Sequence, residues 1–152
     1  MNNRGFTLIE LTVSIVIVML LVLISMVAWR SISARSRVED TQRQIISFLK
    51  EARERTLARV GGTSWGVHFE TNQATLFPNA SFVAGLASST VYVVPGGARI
   101  TSWSLSGGGA VVLFQSLSGA TNQDGVVTLQ QVNDATVEKK LRVSPSGYVE
   151  GL

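Results

Sequence analysis

The sequence contains no cysteine and only one histidine, His68. The lack of cysteine excludes a disulfide framework and a thiolate metal site. A serine–histidine–aspartate triad would depend entirely on His68, which lies between Val67 and Phe69 and is predicted to be a solvent-facing or loosely packed strand residue. We therefore predict that the chain is not an enzyme and that it uses no cofactor and no metal ion.

Three other segments also fail to indicate a chemical site. Residues 122–125, Asn-Gln-Asp-Gly, lack the spaced carboxylates of a calcium loop and are typical of a hairpin turn. The three glycines at residues 107–109 are followed by no lysine and no helix start, so they predict a flexible tip rather than a phosphate-binding loop. Glu138 and Glu150 lie in polar sequence at predicted strand edges, which does not favour an acid–base pair.

Helix-breaking residues are missing from the first part of the chain. No proline occurs before Pro78, and no glycine occurs between Gly5 and Gly61. Residues 6–29 are almost entirely apolar, and Glu10 is their only ionisable side chain. At about 1.5 Å per residue this run forms a helix of roughly 36 Å, which is enough to cross an apolar membrane core of about 30 Å. We predict a transmembrane and assembly helix over residues 6–29.

Beyond the apolar run, the pattern becomes that of an amphipathic helix. We predict that the helix continues over residues 30–60 and is ended by Gly61-Gly62. Its apolar residues recur mostly every three or four positions, and the basic residues of the chain, whose net charge is +3, are concentrated here. The predicted stripe consists of Val38, Ile45, Leu49, Ala52 and Thr56, widened by Ile46, Phe48 and Leu57.

The remaining residues, 61–152, predict a β-rich globular head. Alternating residues 65–69 and 74–77 flank a turn at 71–73 and indicate a hairpin. Further strands are predicted over residues 91–94, 100–105, 111–114, 126–130, 139–144 and 148–149. Short strands separated by turn residues indicate an antiparallel sheet, and residues 80–90 indicate a mobile loop. The predicted fold class is α+β, with a long N-terminal helix packed on a small antiparallel sheet.

The lone acid in the apolar run needs a partner, because a charge inside a membrane span is costly. Residues 1–5, MNNRG, end in a small residue before the run, whereas secretory signals place their cleavage site after it. Cleavage between Gly5 and Phe6 would give Phe6 a positively charged amine. That amine, supplied by a neighbouring copy, is a suitable partner for Glu10.

Residues 4–10 read RGFTLIE and resemble the prepilin signal of type IV pilins and type II secretion pseudopilins. The resemblance implies that residues 1–5 are a leader peptide and that a prepilin peptidase cleaves between Gly5 and Phe6 and methylates the amine of Phe6. It also implies that Glu10 pairs with a subunit amine during assembly. In an apolar helix bundle this pairing would set the stagger of the subunits, with Thr7, Thr12 and Ser14 satisfying polar needs across helices.

The order of the predicted strands adds a second resemblance. A hairpin at 65–77 is followed by VVLF at 111–114, GVVTL at 125–129, LRV at 141–143 and SGYV at 146–149. This order is similar to the head of GspH/FimT pseudopilins. It implies a minor structural subunit of a type IV pilus or of a type II secretion pseudopilus.

The resemblance also implies partners and a location. The partners would be prepilin peptidase, other pilin or pseudopilin subunits in a homo- or hetero-filament, and an inner-membrane assembly platform. The chain would be a single-pass inner-membrane protein with an exported head, and later part of an extracytoplasmic filament. The positive-inside rule favours the opposite orientation, since Arg30, Arg35 and Arg37 outnumber Arg4. We follow the resemblance.

Two alternatives remain open. Some FimT-like minor pilins are DNA receptors in natural transformation, with arginines in a GRxR-like motif near the C-terminus. That motif is absent here, and strand alternation allows at most two of Lys139, Lys140 and Arg142 to share a face, with Glu150 nearby. The other alternative is a membrane-anchored domain that never polymerises.

Overall fold

The computed structural model describes residues 7–152, and the side chains of residues 24–35 lie outside the described set. Contacts divide the chain into two units, Met1–Ser33 and Ala34–Leu152. One helix, α1 (Leu8–Leu57), includes residues of both units. A single turn of 3-10 helix follows at Val60–Gly62.

The helix ends a few residues before the predicted glycine pair. Arg59, with a φ of 52°, adopts the left-handed conformation that commonly terminates a helix. The glycine pair then forms the short 3-10 turn, in which both glycines have a φ of 69°. Thr56 contributes to this reversal, because its Oγ1 accepts the N–H of Trp65 at 2.8 Å and so fixes the start of the first strand beside the last helical turn.

Eight antiparallel strands form two four-stranded sheets. They are β1 (Trp65–Glu70), β2 (Gln73–Pro78), β3 (Thr90–Val93), β4 (Ala98–Leu105), β5 (Val111–Leu113), β6 (Gly125–Gln131), β7 (Asp134–Val143) and β8 (Val149–Gly151). Sheet A has the order β3-β2-β1-β5, and sheet B has the order β4-β6-β7-β8. The α+β class, with an N-terminal helix and antiparallel sheets, is confirmed and agrees with the pilin fold that the resemblance implies.

The strands of the head are divided between two antiparallel sheets, a division that the sequence did not indicate. Alternation identifies strands but not their partners, and here the outer edge of β5 is closed by side chains. Leu113 donates its N–H to Gln123 Oε1 at 3.2 Å, and its carbonyl accepts the Thr121 hydroxyl at 2.8 Å. The strand β6 therefore pairs with β4, which begins the second sheet. The hairpin of β1 and β2 is confirmed, and β7 begins at Asp134, before the predicted position 139.

The core of the Ala34–Leu152 unit contains the predicted helix stripe and the inward-facing residues of both sheets. All five predicted stripe residues are buried, Phe48 is buried with them, and Leu57 is exposed. Completely buried strand residues in this core are Val67, Ala74, Leu76, Ile100, Val112, Val127, Leu129 and Leu141, and Phe114, directly after β5, is buried with them. Burial of one such aliphatic side chain contributes about 1.5–3 kcal/mol.

Besides Thr56, polar side chains of α1 donate hydrogen bonds to backbone carbonyls of the head at three further places. Arg37 Nη1 donates to the carbonyl of Gly96 at 3.1 Å, and Arg53 Nε donates to the carbonyl of Gly119 at 3.2 Å. Between them, the Gln42 side-chain amide donates to the carbonyl of Lys140. These bonds fix the helix from residue 37 onward against loops and strands far away in the sequence.

The segment between β2 and β3 covers the outer face of sheet A. It was predicted as a mobile loop, and it contains no strand or helix between Pro78 and Thr90. Its Phe82 stacks on His68 at 4.0 Å and contacts Phe77 edge-on at 5.3 Å. Phe77 in turn lies over Gly66, where an added Cβ would come within 3.1 Å of the Phe77 ring and 2.7 Å of the Val112 carbonyl. A small aromatic cluster therefore packs on the side of the sheet away from the core.

Candidate functional site

The described chain begins with a capped helix terminus. The N–H of Glu10 donates to Thr7 Oγ1 at 3.3 Å, so Thr7 acts as the N-cap of α1 and Glu10 occupies its first turn. Threonine followed three positions later by glutamate is the capping-box sequence, and a carboxylate in the first turn interacts favourably with the helix dipole. The sequence analysis missed this local role, although the pattern was readable in it.

Hydroxyl groups in the next turn also bind within the helix. Thr12 Oγ1 donates to the carbonyl of Ile9 at 2.9 Å, and Ser14 Oγ donates to the carbonyl of Glu10 at 2.7 Å. The predicted contacts of Thr12 and Ser14 across helices would therefore use the remaining acceptor capacity of these hydroxyls. Thr7 differs, because its hydroxyl accepts the Glu10 N–H and could still donate its proton to a neighbouring helix.

The surface that follows is apolar on all sides. Every described side chain from residue 7 to residue 23 is exposed, and the large apolar ones are exposed by 49% (Ile15) to 83% (Leu8). Glu10 is the only ionisable residue among them. A contiguous apolar surface of this kind marks contact with another apolar phase, either lipid or protein. We name residues 7–23 the exposed helix segment.

Two of the predicted site residues, Gly5 and Phe6, lie outside the described residues. Cleavage between them and methylation of Phe6 remain predictions. No helix within the described residues is both long and apolar enough to cross a membrane. The predicted transmembrane segment, residues 6–29, lies partly outside that set and is not confirmed.

In the head, the single histidine is packed more closely than predicted. The His68 side chain is only 20% exposed, with Nε2 3.5 Å from Glu70 Oε1 and the ring stacked on Phe82. Burial lowers the pKa of His68 below its ordinary value, and the Glu70 carboxylate opposes this shift. The prediction failed because the stacking partner comes from an irregular segment whose path strand alternation does not reveal.

The cations of β7 are accompanied by carboxylates. Lys140 and Arg142 alternate with buried Leu141 and therefore share the outer face of sheet B, so two of the three cations predicted near β7 lie on one face, as expected. Lys140 Nζ binds Glu138 Oε1 at 3.0 Å, and Arg142 lies opposite Glu150 in the β7–β8 register. The hydrogen bond from Lys140 is the main cause that lowers the pKa of Glu138. Both β7 cations on this face therefore have a carboxylate nearby.

The two remaining candidate segments have structural roles. Within residues 122–125, the Asn122 side chain accepts the Gln115 side-chain amide at 3.0 Å, and Gln123 closes the edge of β5. Of the glycines at residues 107–109, Gly107 and Gly108 have φ values of 89° and 74° and form the turn after β4. Gly108 donates its N–H back to the Leu105 carbonyl at 3.0 Å.

Comparison with known families identifies the N-terminus. Residues 1–26 match the family model of the prokaryotic N-terminal methylation motif. The match supports a type IV pilin-like prepilin signal, and it includes Gly5, Phe6 and Glu10. Such a signal implies processing by a prepilin peptidase, a membrane-anchored pilin-like or pseudopilin-like subunit, and assembly with other pilins. No curated protein and no solved structure gives a significant match to the chain.

Proposed function

We propose that the chain is a non-enzymatic structural subunit, of the GspH/FimT-like minor class, in a type IV pilus or a type II secretion pseudopilus. One observation carries this proposal: the methylation motif of residues 1–26 overlaps the exposed helix segment, a surface that is apolar on all sides except for one acid and three hydroxyl residues.

The proposed mechanism uses that surface twice. Residues 6–29 first hold the chain in the inner membrane with the head exported. After prepilin peptidase cleaves between Gly5 and Phe6 and methylates Phe6, an inner-membrane assembly platform transfers the helix into a bundle of subunit helices. The bundle replaces lipid as the apolar environment, so the transfer loses little hydrophobic free energy.

Glu10 supplies the specificity of this transfer. In an apolar bundle an unpaired carboxylate is costly, and the amine of Phe6 on a neighbouring subunit would neutralise it. Only one stagger of the two helices brings the groups together, so Glu10 sets the register. Because Glu10 also lies in the capped first turn, its carboxylate is held close to the end of the helix, where the neighbouring terminus would arrive.

The first experiment tests processing. We expect mass spectrometry of the full chain, isolated from cells that contain a prepilin peptidase, to show loss of residues 1–5 and one methyl group on Phe6. Gly5→Leu places a bulky side chain at the cleavage site and is expected to abolish the trimmed form, whereas the matched control Asn3→Leu retains it. A wild-type chain that keeps Met1 and lacks the methyl group would contradict the proposal.

The second experiment tests assembly separately from processing. Glu10→Ala is expected to leave cleavage intact and to remove the chain from sheared filament or pseudopilus fractions. Val13→Ala is the matched control, because it shortens an exposed apolar side chain of the same helix segment and removes no charge or hydroxyl. Normal incorporation of Glu10→Ala would favour the alternative of an anchored domain that never polymerises.

A further inference from the structure

The edge of sheet A at β3 carries unpaired backbone groups. The N–H of Val94 bonds to the Asn72 carbonyl at 2.8 Å, and the β2–β3 register places Tyr92 opposite Ala74. Since bonded pairs alternate in an antiparallel ladder, Tyr92 faces β2, and the N–H and C=O groups of Val91 and Val93 point away from it. The side chains of Val91 and Val93 are 50% and 66% exposed on the outer face of the sheet.

The other sheet edges in residues 36–152 carry features that oppose pairing. The part of β7 that β8 does not pair, residues 134–140, bears the charged residues Asp134, Glu138, Lys139 and Lys140. The edge of β5 is closed by Thr121 and Gln123. The edge of β4 contains an irregularity between Ile100 and Ser102, and the Ile100 N–H is bonded to the Thr71 carbonyl. The edge strand β8 spans only Val149–Gly151 and carries the charged Glu150. Bulges, charges and short lengths are the usual devices against edge pairing. The strand β3 is also short, with four residues, but it has neither a bulge nor a charged residue.

We propose that β3 is a homotypic docking edge, which pairs antiparallel with β3 of a second copy of this chain. Unpaired strand groups specify a strand as the partner, and the sequence Thr-Val-Tyr-Val is self-complementary. With Tyr92 on the twofold axis, Val91 of one copy lies opposite Val93 of the other, and each such pair exchanges two hydrogen bonds. The four valines then share the outer face.

Charge favours self-pairing of β3 between two copies over self-pairing of the other exposed strands of the described head. The strand β3 has no charged residue, so self-pairing brings no like charges together, whereas β8 carries Glu150 and β7 begins with Asp134. The contact is small and belongs to the transient class of interfaces. It uses only the head and so does not depend on N-terminal processing.

Disulfide trapping tests this register, because the chain has no cysteine of its own. Full-length Val91→Cys and Val93→Cys chains are co-expressed and mildly oxidised. Opposite residues of a bonded pair lie about 5.5 Å apart between Cα atoms, within disulfide range. Copies of the same variant would place their cysteines about 8–9 Å apart, beyond that range. We expect cross-linked dimers from the mixture and almost none from either variant alone.

A charge exchange at the second pair provides the matched control. Adding Val93→Lys to the Val91→Cys chain and Val91→Lys to the Val93→Cys chain places two lysines opposite each other, and we expect the early cross-linking yield to fall about fivefold. Replacing the second lysine by glutamate is expected to restore the yield, with the fold of each chain checked by tryptophan fluorescence.

Three outcomes would overturn the proposal. The first is the absence of a cross-linked dimer from the mixture, and the second is equal dimer formation by either variant alone. The third is a cross-linking yield that the lysine–lysine pair does not lower. Cross-linking of Val93→Cys to a different protein would assign the edge to another partner. Adding Gly5→Leu separates this contact from the proposed function, since the dimer is expected to form even where the leader is retained.

Discussion

The exposed helix segment, residues 7–23, and residues 36–57 are two parts of α1 with opposite surroundings. In the first, every described side chain is exposed although most are apolar. In the second, Val38, Ile45, Leu49 and Ala52 are completely buried on one side, while Arg43 and Lys50 face solvent. The helix is therefore stabilised by its own head in one region and, in the other, depends on an apolar environment that the described chain does not supply.

This comparison teaches how the pattern of a helix determines its partner. A one-sided stripe fits a single core, and most helical stability in proteins comes from packing such a face. A surface that is apolar all round cannot be satisfied by one core and requires lipid or several neighbouring helices. The N-cap bond from the Glu10 N–H to Thr7 stabilises the terminus locally, but it buries none of this surface.

The largest expected effect compares two leucines in the two regions. Leu49→Ala, at a completely buried position, is expected to lower the free energy of unfolding of the head by about 2–5 kcal/mol. Leu20→Ala, at a position 55% exposed, is expected to change it by less than about 0.5 kcal/mol. Denaturant titration of the full chain in detergent, followed by tryptophan fluorescence, measures both. Equal losses of unfolding free energy in the two variants would show that the two regions of α1 do not differ in how they are stabilised.

A second pair of variants compares two threonines. Thr56→Val removes the acceptor of the Trp65 N–H and leaves that buried group unpaired, which is expected to cost about 1–3 kcal/mol. Thr12→Val removes a hydroxyl that only donates to the Ile9 carbonyl of its own helix, and we expect a change within about 0.5 kcal/mol. Denaturant titration followed by tryptophan fluorescence measures both changes. A loss of stability confined to Thr12→Val would contradict the role of Thr56 as the acceptor of the Trp65 N–H.

A third pair sharpens the comparison within residues 36–57. Arg53→Met removes the donor to the Gly119 carbonyl and is expected to destabilise the head by about 1 kcal/mol. Arg43→Met removes an ion pair with Glu39 at 2.7 Å, but the Arg43 side chain is 70% exposed, so we expect at most about 0.5 kcal/mol. Thermal unfolding at low and high salt separates the two, since only the Arg43 effect should weaken with salt.

The smallest expected effect concerns pH and is confined to the head, which contains the only histidine. Burial lowers the pKa of His68, so folding favours the neutral ring. The corresponding stability is fully present above the unfolded pKa of about 6.5 and is lost as the pH falls below it. His68→Gln is expected to flatten the loss of stability between about pH 6.5 and pH 5. An identical slope in the two proteins would show that the ring titrates without linkage to folding.

Much of the fold was predictable because its residues obey simple periods. The stripe from Val38 to Thr56 repeats at helical spacing and is buried as predicted, and the β1–β2 hairpin follows from alternation around a short turn. Strand pairing was not predictable, because it depends on side chains such as Gln123 that close one edge and direct β6 to another. Phe82 was missed for a similar reason, since no period governs an irregular segment.

The candidate site was predictable in a different way. Glu10 was found because it is the one charge in an apolar run, and the methylation motif of residues 1–26 supports the signal around it. Its capping partner Thr7 was overlooked, since both residues were interpreted through a neighbouring subunit and not through their own helix. The open edge at β3 carries no sequence motif. It became visible only when the pairing of every other edge was known.

The hydrogen bonds that Arg37, Arg53 and Gln42 of α1 donate to the head all end on main-chain oxygens, those of Gly96, Gly119 and Lys140. A carbonyl is present whatever side chain its residue bears, so these hydrogen bonds depend on the backbone conformation of the head and not on the identity of its side chains. The Lys140 side chain lies on the outer face, so its substitution would leave the hydrogen bond from Gln42 to the Lys140 carbonyl intact. Surface residues of this head can therefore be exchanged, for labels or for new binding specificities, while the hydrogen bonds between the helix and the backbone of the head are kept.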